Sequence, residues 1–213
     1  RGTAIWTKDA LDEFGVDALR YYLAAAAPET RDTDFIYDEL IRRNNDELVA
    51  AYGNAAHRVL TFTQRHFEGK VPEPGPTRPQ DTAMLAEVAS GFAAAADAIE
   101  AVRLRDGLQE AMRVAREANR YLDEQAPWKA IKGDRVSAAT TVHTMIQVLN
   151  GLKVLFAPYL PHSSQKLHEL LGFTGDVSQL PWTPEPVPSG QALPVPAPLF
   201  AKLEPRVEQA AGV

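Results

Sequence analysis

Asn54 and Arg58 stand four residues apart in a long helical pattern. An α-helix turns about 100° per residue, so their side chains lie roughly 40° apart on one face. By the same arithmetic Arg65 falls between them, and Arg43 lies about 20° to the other side. The stripe carries an amide and a guanidinium, two groups that can each meet two positions of a nucleobase edge at once, and two further positive charges. It also fits a plain solvated face, because every amphipathic helix has a polar side. A second cluster is Tyr121-Leu122-Asp123-Glu124-Gln125-Ala126-Pro127-Trp128-Lys129. A helical pattern ends there, and a tryptophan follows the proline directly. Trp128 either offers a flat face on which a base stacks, or plugs the end of a bundle with its indole N–H in water.

Catalytic constellations are not found. There is no glycine-rich phosphate loop, and the histidines at 57, 66, 143, 162 and 168 form no His-Glu-x-x-His pair. Asp9/Asp12 and Asp46/Glu47 sit among basic neighbours on helices, where surface charge explains them. Ser163 and Ser164 follow Pro161 and suit a helix start better than a nucleophile. No cofactor or metal is expected in this chain.

The elements that must position Asn54, Arg58 and Trp128 are helical. Thr7 is placed as the N-cap of a short helix, Lys8 to Phe14, stopped by Gly15; a second runs from Val16 towards Pro28. After a polar turn over Glu29 to Asp34, Phe35-Ile36-Tyr37 reads as a short strand or an extended segment. A long helix is expected over about Asp38 to Phe67, and further helices over about Asp81 to Val102, Asp106 to Gln125, Arg135 to Ala157 and His162 to Leu171. Four prolines in 71–79 mark a connector, and eight more after residue 180 mark an irregular tail with at most an extended piece at Leu199 to Lys202. The fold class is mainly α: an antiparallel helical bundle over 41–175, preceded by a small mixed α/β unit over 1–40 and followed by a Pro-rich tail over 176–213 that packs on the bundle.

Bulk properties narrow the function. The chain has 213 residues, enough for one or two domains with a sizeable core. It has no cysteine, which removes disulfides and thiolate chemistry. The chain opens on Arg1 with no apolar leader, and no apolar run reaches the roughly 20 residues of a membrane helix, so a soluble cytoplasmic protein with no membrane partner is expected. A net charge of −6 argues against holding a long duplex through many phosphates. It is compatible with reading a few unstacked RNA bases, which depends on stacking and base-edge hydrogen bonds.

Taken together the motifs resemble methionyl-tRNA synthetase. Asp-Glu-Gln-Ala-Pro-Trp at 123–128, after the Asn-x-x-x-Arg helix at 54–58, is similar to the family's anticodon-binding bundle. Arg1-Gly2-Thr3 resembles the residues that follow the family's Lys-Met-Ser-Lys-Ser loop, and 15–23 the helix after it. The segments 28–35 and 43–48, then Pro158-Tyr159-Leu160-Pro161 with Leu171-Gly172, resemble later parts of that region, and Pro198-Leu199-Phe200 is familiar from the end of such bundles. The match covers most of 1–172 and is specific at 28–35 and 123–128.

The resemblance implies a part of an enzyme that joins methionine to its tRNA using ATP with Mg, through an adenylate. The nucleotide fold with its His-Ile-Gly-His motif would precede Arg1, so the chain by itself is expected to be inactive and to work beside its own catalytic domain. The implied partner is a methionine-accepting tRNA with a CAU anticodon. Carried over, Trp128 would stack on the first anticodon base, Asn54 and Arg58 would bond to base edges, Asp123 would orient Arg58, and Arg43 and Arg65 would be backbone contacts. The unit 1–40 would be the connector that contacts the stem. A cysteinyl, leucyl or isoleucyl enzyme of the same class shares the helix after the signature loop and the bundle. A helical scaffold with no RNA role fits the charge and the ordinary amphipathic patterns.

Overall fold

The computed structural model describes residues 6–27, 34–183 and 185–205. Arg1-Gly2-Thr3, most of the 28–35 segment and the last eight residues, all used above, lie outside the described residues. Within them the chain forms α1 (Thr7–Phe14), α2 (Val16–Ala25), α3 (Tyr37–Arg43), a π-helical segment (Asn44–Gly53), α4 (Asn54–His66), α5 (Pro79–Glu100), α6 (Leu104–Gln125), the one-turn α7 (Pro127–Ala130), α8 (Arg135–Phe156) and α9 (Pro161–Leu170). A 3-10 turn follows at Val177–Gln179. The described residues hold no sheet, only an isolated antiparallel bridge between Lys70 and Ala192. Residues 34–36 are extended without forming a strand, and Tyr37 already starts α3.

Apolar spacing and local stop signals explain most boundaries. Gly15 separates α1 from α2 at a positive φ of 77° that a side chain would strain. Trp6, not Thr7, is the N-cap of α1, and it supplies no side-chain cap. Pro79 and Pro161 each occupy the first turn of a helix, where the missing N–H costs nothing. Asp134 caps α8 by accepting from the Ser137 N–H at 2.9 Å.

The main core is built by α4, α5, α6, α8 and α9, with α8 at its centre: Met145, Ile146, Leu149, Leu152, Leu155 and Phe156 are all fully buried. A second, smaller core joins Ala10, Phe14, Ala18, Leu19 and Tyr22 to Leu40 and Ile41 of α3. The helix that enters the bundle therefore begins inside the small unit. The two cores are tied by charge-assisted hydrogen bonds. Asp17 of α2 accepts from the Ser163 N–H at 2.6 Å and the Ser163 hydroxyl at 2.5 Å, capping α9 from outside. Arg20 donates to the carbonyls of Pro158 and Tyr159 at 2.7 and 3.2 Å.

One sequence expectation needs correction. By length and composition α5 is long and apolar enough to cross a membrane, with a mean hydropathy of 1.3 over its best window. Its apolarity comes largely from alanines, and it lies against α6 and α8 in the bundle, with Asp81 buried at its first turn.

The long helix expected over Asp38 to Phe67 is continuous but not uniform. Its middle ten residues close wider π turns, in which each N–H reaches the fifth carbonyl back instead of the fourth. From α6, Asn119 donates to the Ala51 carbonyl at 3.0 Å and pins this stretch just before Asn54.

Candidate nucleic-acid interface

Arg58, Asp123 and Trp128 meet at one end of the bundle. Arg58 leaves the second turn of α4, a regular α-helix from Asn54 onward, and donates to the Asp123 carboxylate on the last turn of α6 at 2.8 Å. Its guanidinium carbon lies 4.5 Å from the Trp128 ring centroid. The guanidinium thus sits over an indole ring and is held by a carboxylate, a placement that restrains an otherwise flexible side chain. Asp123 is largely exposed, its side chain 62% accessible against 30% for Arg58. An ion pair so wet contributes roughly 0.2–1 kcal/mol to stability, so its consequence is orientation.

The backbone explains how Trp128 comes to face Arg58. α6 ends with Ala126 in the left-handed region, φ 39° and ψ 61°, which is strained for a residue with a side chain. Ala126 closes α6 with a hydrogen bond to the Leu122 carbonyl, then Pro127 opens α7 in a new direction. Trp128, on α7, is carried back over α4. It is half-buried and packs on the edge of the main core. One part of the ring therefore packs on the core, and the rest is exposed.

Behind this face sits a buried polar cluster. Asp81 accepts from the Arg78 N–H at 2.8 Å, the Arg78 guanidinium at 2.7 and 2.9 Å, and the Tyr121 hydroxyl at 2.6 Å. Burial pushes the Asp81 carboxyl up, but the hydrogen bonds from Arg78 and Tyr121 and the Arg78 charge outweigh it and hold it below the usual carboxylate range. Burial and the Asp81 carboxylate together raise the Tyr121 phenol. Arg78 also reaches Ser137 and Thr141 on α8. The cluster joins α5, α6 and α8 half a turn before Asp123.

The other expected residues divide. Asn54 is exposed on the same face of α4, about 6 Å of helix rise from Arg58. Its own surroundings are Gly53, His57 and the tail at Pro198–Phe200. Arg65 is exposed two turns beyond Arg58 and makes no ion pair among the described residues. Arg43 departs from the expected stripe. The π segment between it and Asn54 breaks the 100° arithmetic, and Arg43 turns towards the small unit, half-buried against Glu39 at 2.8 Å and Glu47 at 3.2 Å. Glu47 in turn accepts from the Tyr21 hydroxyl of α2. His57 and Phe200 also stand beside Asn54, outside the expected stripe. His57 sits three after Asn54, a spacing that places the two on neighbouring faces; Phe200 carries no comparable signal.

A helical bundle that presents an aromatic–guanidinium face at its end, with a small helical unit tied to its base, has the architecture of a tRNA-synthetase anticodon-binding domain. The family model described as the anticodon binding domain of methionyl tRNA ligase matches residues 71–211, and one described as tRNA synthetases class I (M) matches residues 1–60. The chain belongs to the methionyl-tRNA ligase anticodon-binding family. Methionine–tRNA ligase from Thermomicrobium roseum is 42% identical over 97% of this chain, and that from Dehalococcoides mccartyi 45% identical over 97%. The chain spans about 40% and 37% of those relatives' lengths. Among solved structures, free Mycobacterium tuberculosis methionyl-tRNA synthetase superposes with a TM-score of 0.89 at 25% identity, over 95% of this chain and 42% of that one. The same enzyme bound by methionyl-adenylate gives a TM-score of 0.86 at 26% identity, over 91% and 39%. These matches select the methionyl family over the cysteinyl, leucyl and isoleucyl ones.

Proposed function

We propose that this chain reads the CAU anticodon of the methionine tRNA for a methionine–tRNA ligase. The ligation itself, with ATP and Mg and through an adenylate, belongs in this reading to the catalytic domain of the longer relatives. The observation that carries the proposal is the Asp123–Arg58–Trp128 arrangement, with Asn54 one turn along the same helix face. A base that leaves its stack and lies on the open part of the Trp128 ring has Arg58 and Asn54 within reach of its edge. A guanidinium already oriented by Asp123 loses less freedom on binding, so the contact discriminates more sharply. By analogy with bidentate readout in DNA, each such pair separates right from wrong base by about 1–3 kcal/mol. The net charge of −6 agrees with a reader that works on a few bases. Arg65 is the available cation for a neighbouring phosphate, whereas Arg43 is committed to Glu39 and Glu47.

The small unit serves as the coupling element. Asp17 and Arg20 of α2 grip the α8–α9 junction, so a load on the bundle passes to α2 without a flexible joint. The test is binding of the 213-residue chain to two anticodon stem-loops that differ only in the first anticodon base, at one fixed salt concentration. We expect the CAU loop to bind about five- to a hundredfold more tightly. Equal affinity for both would sink the reading.

A further inference from the structure

Asn54 looks two ways. Arg58 lies about 40° from it on one side, and His57 about 60° on the other. On the His57 side there is a groove of about 360 Å³ between the end of the π segment and the tail, lined by Ala50, Gly53, Asn54, His57, Leu199 and Phe200 among others.

The groove is built and held. A Cβ on Gly53 would stand 3.0 Å from Phe200 Cδ2 and 3.0 Å from the Leu48 carbonyl, so a side chain there would push the tail ring outward by a few tenths of an ångström. The Phe200 ring leans on Tyr52, which stacks on Phe156 in the core at 4.5 Å. The tail is stitched down on both sides of the ring. Asn44 donates to the Ala201 carbonyl at 3.0 Å, Asn45 exchanges two hydrogen bonds with Leu203 at 2.8 and 2.9 Å, and Lys166 donates to the Pro198 carbonyl at 2.6 Å. The wall is therefore in place before any ligand arrives.

Its chemistry is that of a flat neutral ring with a polar edge. The walls are apolar, including an aromatic face and a proline. At the rim stand two exposed groups with free hydrogen-bonding capacity. The Asn54 amide, a donor and an acceptor side by side, has no hydrogen bond within the described protein, and His57 has only a long 3.5 Å contact with Thr61. A phosphate would call for fixed cations inside the groove, and no lysine or arginine lines it. We propose that this groove takes a second unstacked base of the same RNA loop. Phe200 and Pro198 flank the ring, and Asn54 and His57 meet its edge. This rests on the anticodon reading above. It adds the tail and His57 to the RNA-contacting surface, and it makes Asn54 the residue shared between two base sites.

The experiment uses a series of CAU stem-loops, each lacking the base at one loop position, bound to the parent chain and to Trp128→Ala, Ala50→Trp and His57→Ala. Ala50 is exposed on the helix, so a tryptophan there fills the groove without entering the core, and His57→Ala removes only a rim group. Melting curves verify that each variant is folded. In the parent, two loop positions should each cost about five- to a hundredfold in affinity when their base is removed. One of these losses should vanish in Trp128→Ala. The other, at a different position, should vanish in Ala50→Trp and shrink in His57→Ala. If Ala50→Trp and His57→Ala bind every loop as the parent does while Trp128→Ala loses affinity, the groove proposal is overturned and the anticodon reading stands. It is equally overturned if Ala50→Trp and Trp128→Ala erase the effect of the same base. If Trp128→Ala also binds every loop as the parent does, the anticodon reading itself fails.

Discussion

Replacing Trp128 by alanine separates the two jobs that the structure gives its ring. The indole is half-buried on the edge of the main core and carries the Arg58 guanidinium 4.5 Å from its centroid. A fully buried tryptophan truncated to alanine costs about 3–5 kcal/mol, and roughly half of that applies to a ring half in contact with the core. The lost cation–π contact adds about 0.5–1 kcal/mol at a partly exposed site. The expected stability loss is about 2–3 kcal/mol, or a fall in Tm of about 4–12 °C for a chain of this size. A base that stacked on the open face loses about 1–3 kcal/mol of binding, five- to a hundredfold in affinity. Trp128→Phe keeps a ring face and should recover most of the binding while recovering only part of the stability. The assay is thermal melting together with anisotropy titration of a CAU stem-loop, well below the Tm of each variant and at one salt concentration. If Trp128→Ala melts lower but its folded fraction binds the CAU loop as tightly as the parent, Trp128 is structural and the argument from its geometry is wrong.

Two other expectations concern the scaffold behind the site. Asp81→Asn leaves Arg78 without its buried counter-charge and should cost about 3–5 kcal/mol in urea unfolding at neutral pH. Since the folded Asp81 carboxyl lies below its unfolded value, its stabilisation is complete above the usual carboxylate range and is lost as pH falls through the folded pKa; the variant should lack that part of the acid limb, and a parent-like acid limb would refute it. Lys153 is 1% exposed on α8, has no carboxylate partner among the described residues and packs 3.9 Å from the Phe173 ring centroid, and burial lowers its pKa to about 8. Below pH 8 the folded state bears the whole cost of the buried charge, about 3 kcal/mol before the ring contact offsets part of it, and the cost fades between pH 8 and about 10.5. Lys153→Met should therefore gain about 1–3 kcal/mol at pH 7 and almost nothing near pH 11, and a gain that does not change with pH would refute the assignment.

Much of the fold is a local consequence of the sequence. Apolar residues at helical spacing, with glycine and proline at the ends, place α2, α5, α6, α8 and α9 within a few residues, because these signals act over one or two turns. The pairing of Asn54 with Arg58 is equally local, since both lie inside one regular helix. The segment 123–128 carried the family resemblance by residue type alone. What sequence reasoning missed depends on contacts between distant parts of the chain. A π turn and an α turn accept the same residues, and the choice at Asn44–Gly53 is bound up with the tail and α6: Asn44 and Asn45 hold residues 201 and 203, and Asn119 holds the Ala51 carbonyl. That choice rotates Arg43 away from the expected stripe. The one-turn α7 was hidden because a left-handed alanine gives no sign in the sequence, yet it decides that Trp128 faces Arg58. The tail has no periodicity to read, and its course is fixed by side chains more than a hundred residues away, Asn44, Asn45 and Gln64. The sequence by itself determined the helices, the residue types of a base reader and their spacing along α4. Only the tertiary structure decided which of those residues share a surface, because that rests on hydrogen-bond register and on long-range carbonyl partners that no short window of sequence contains.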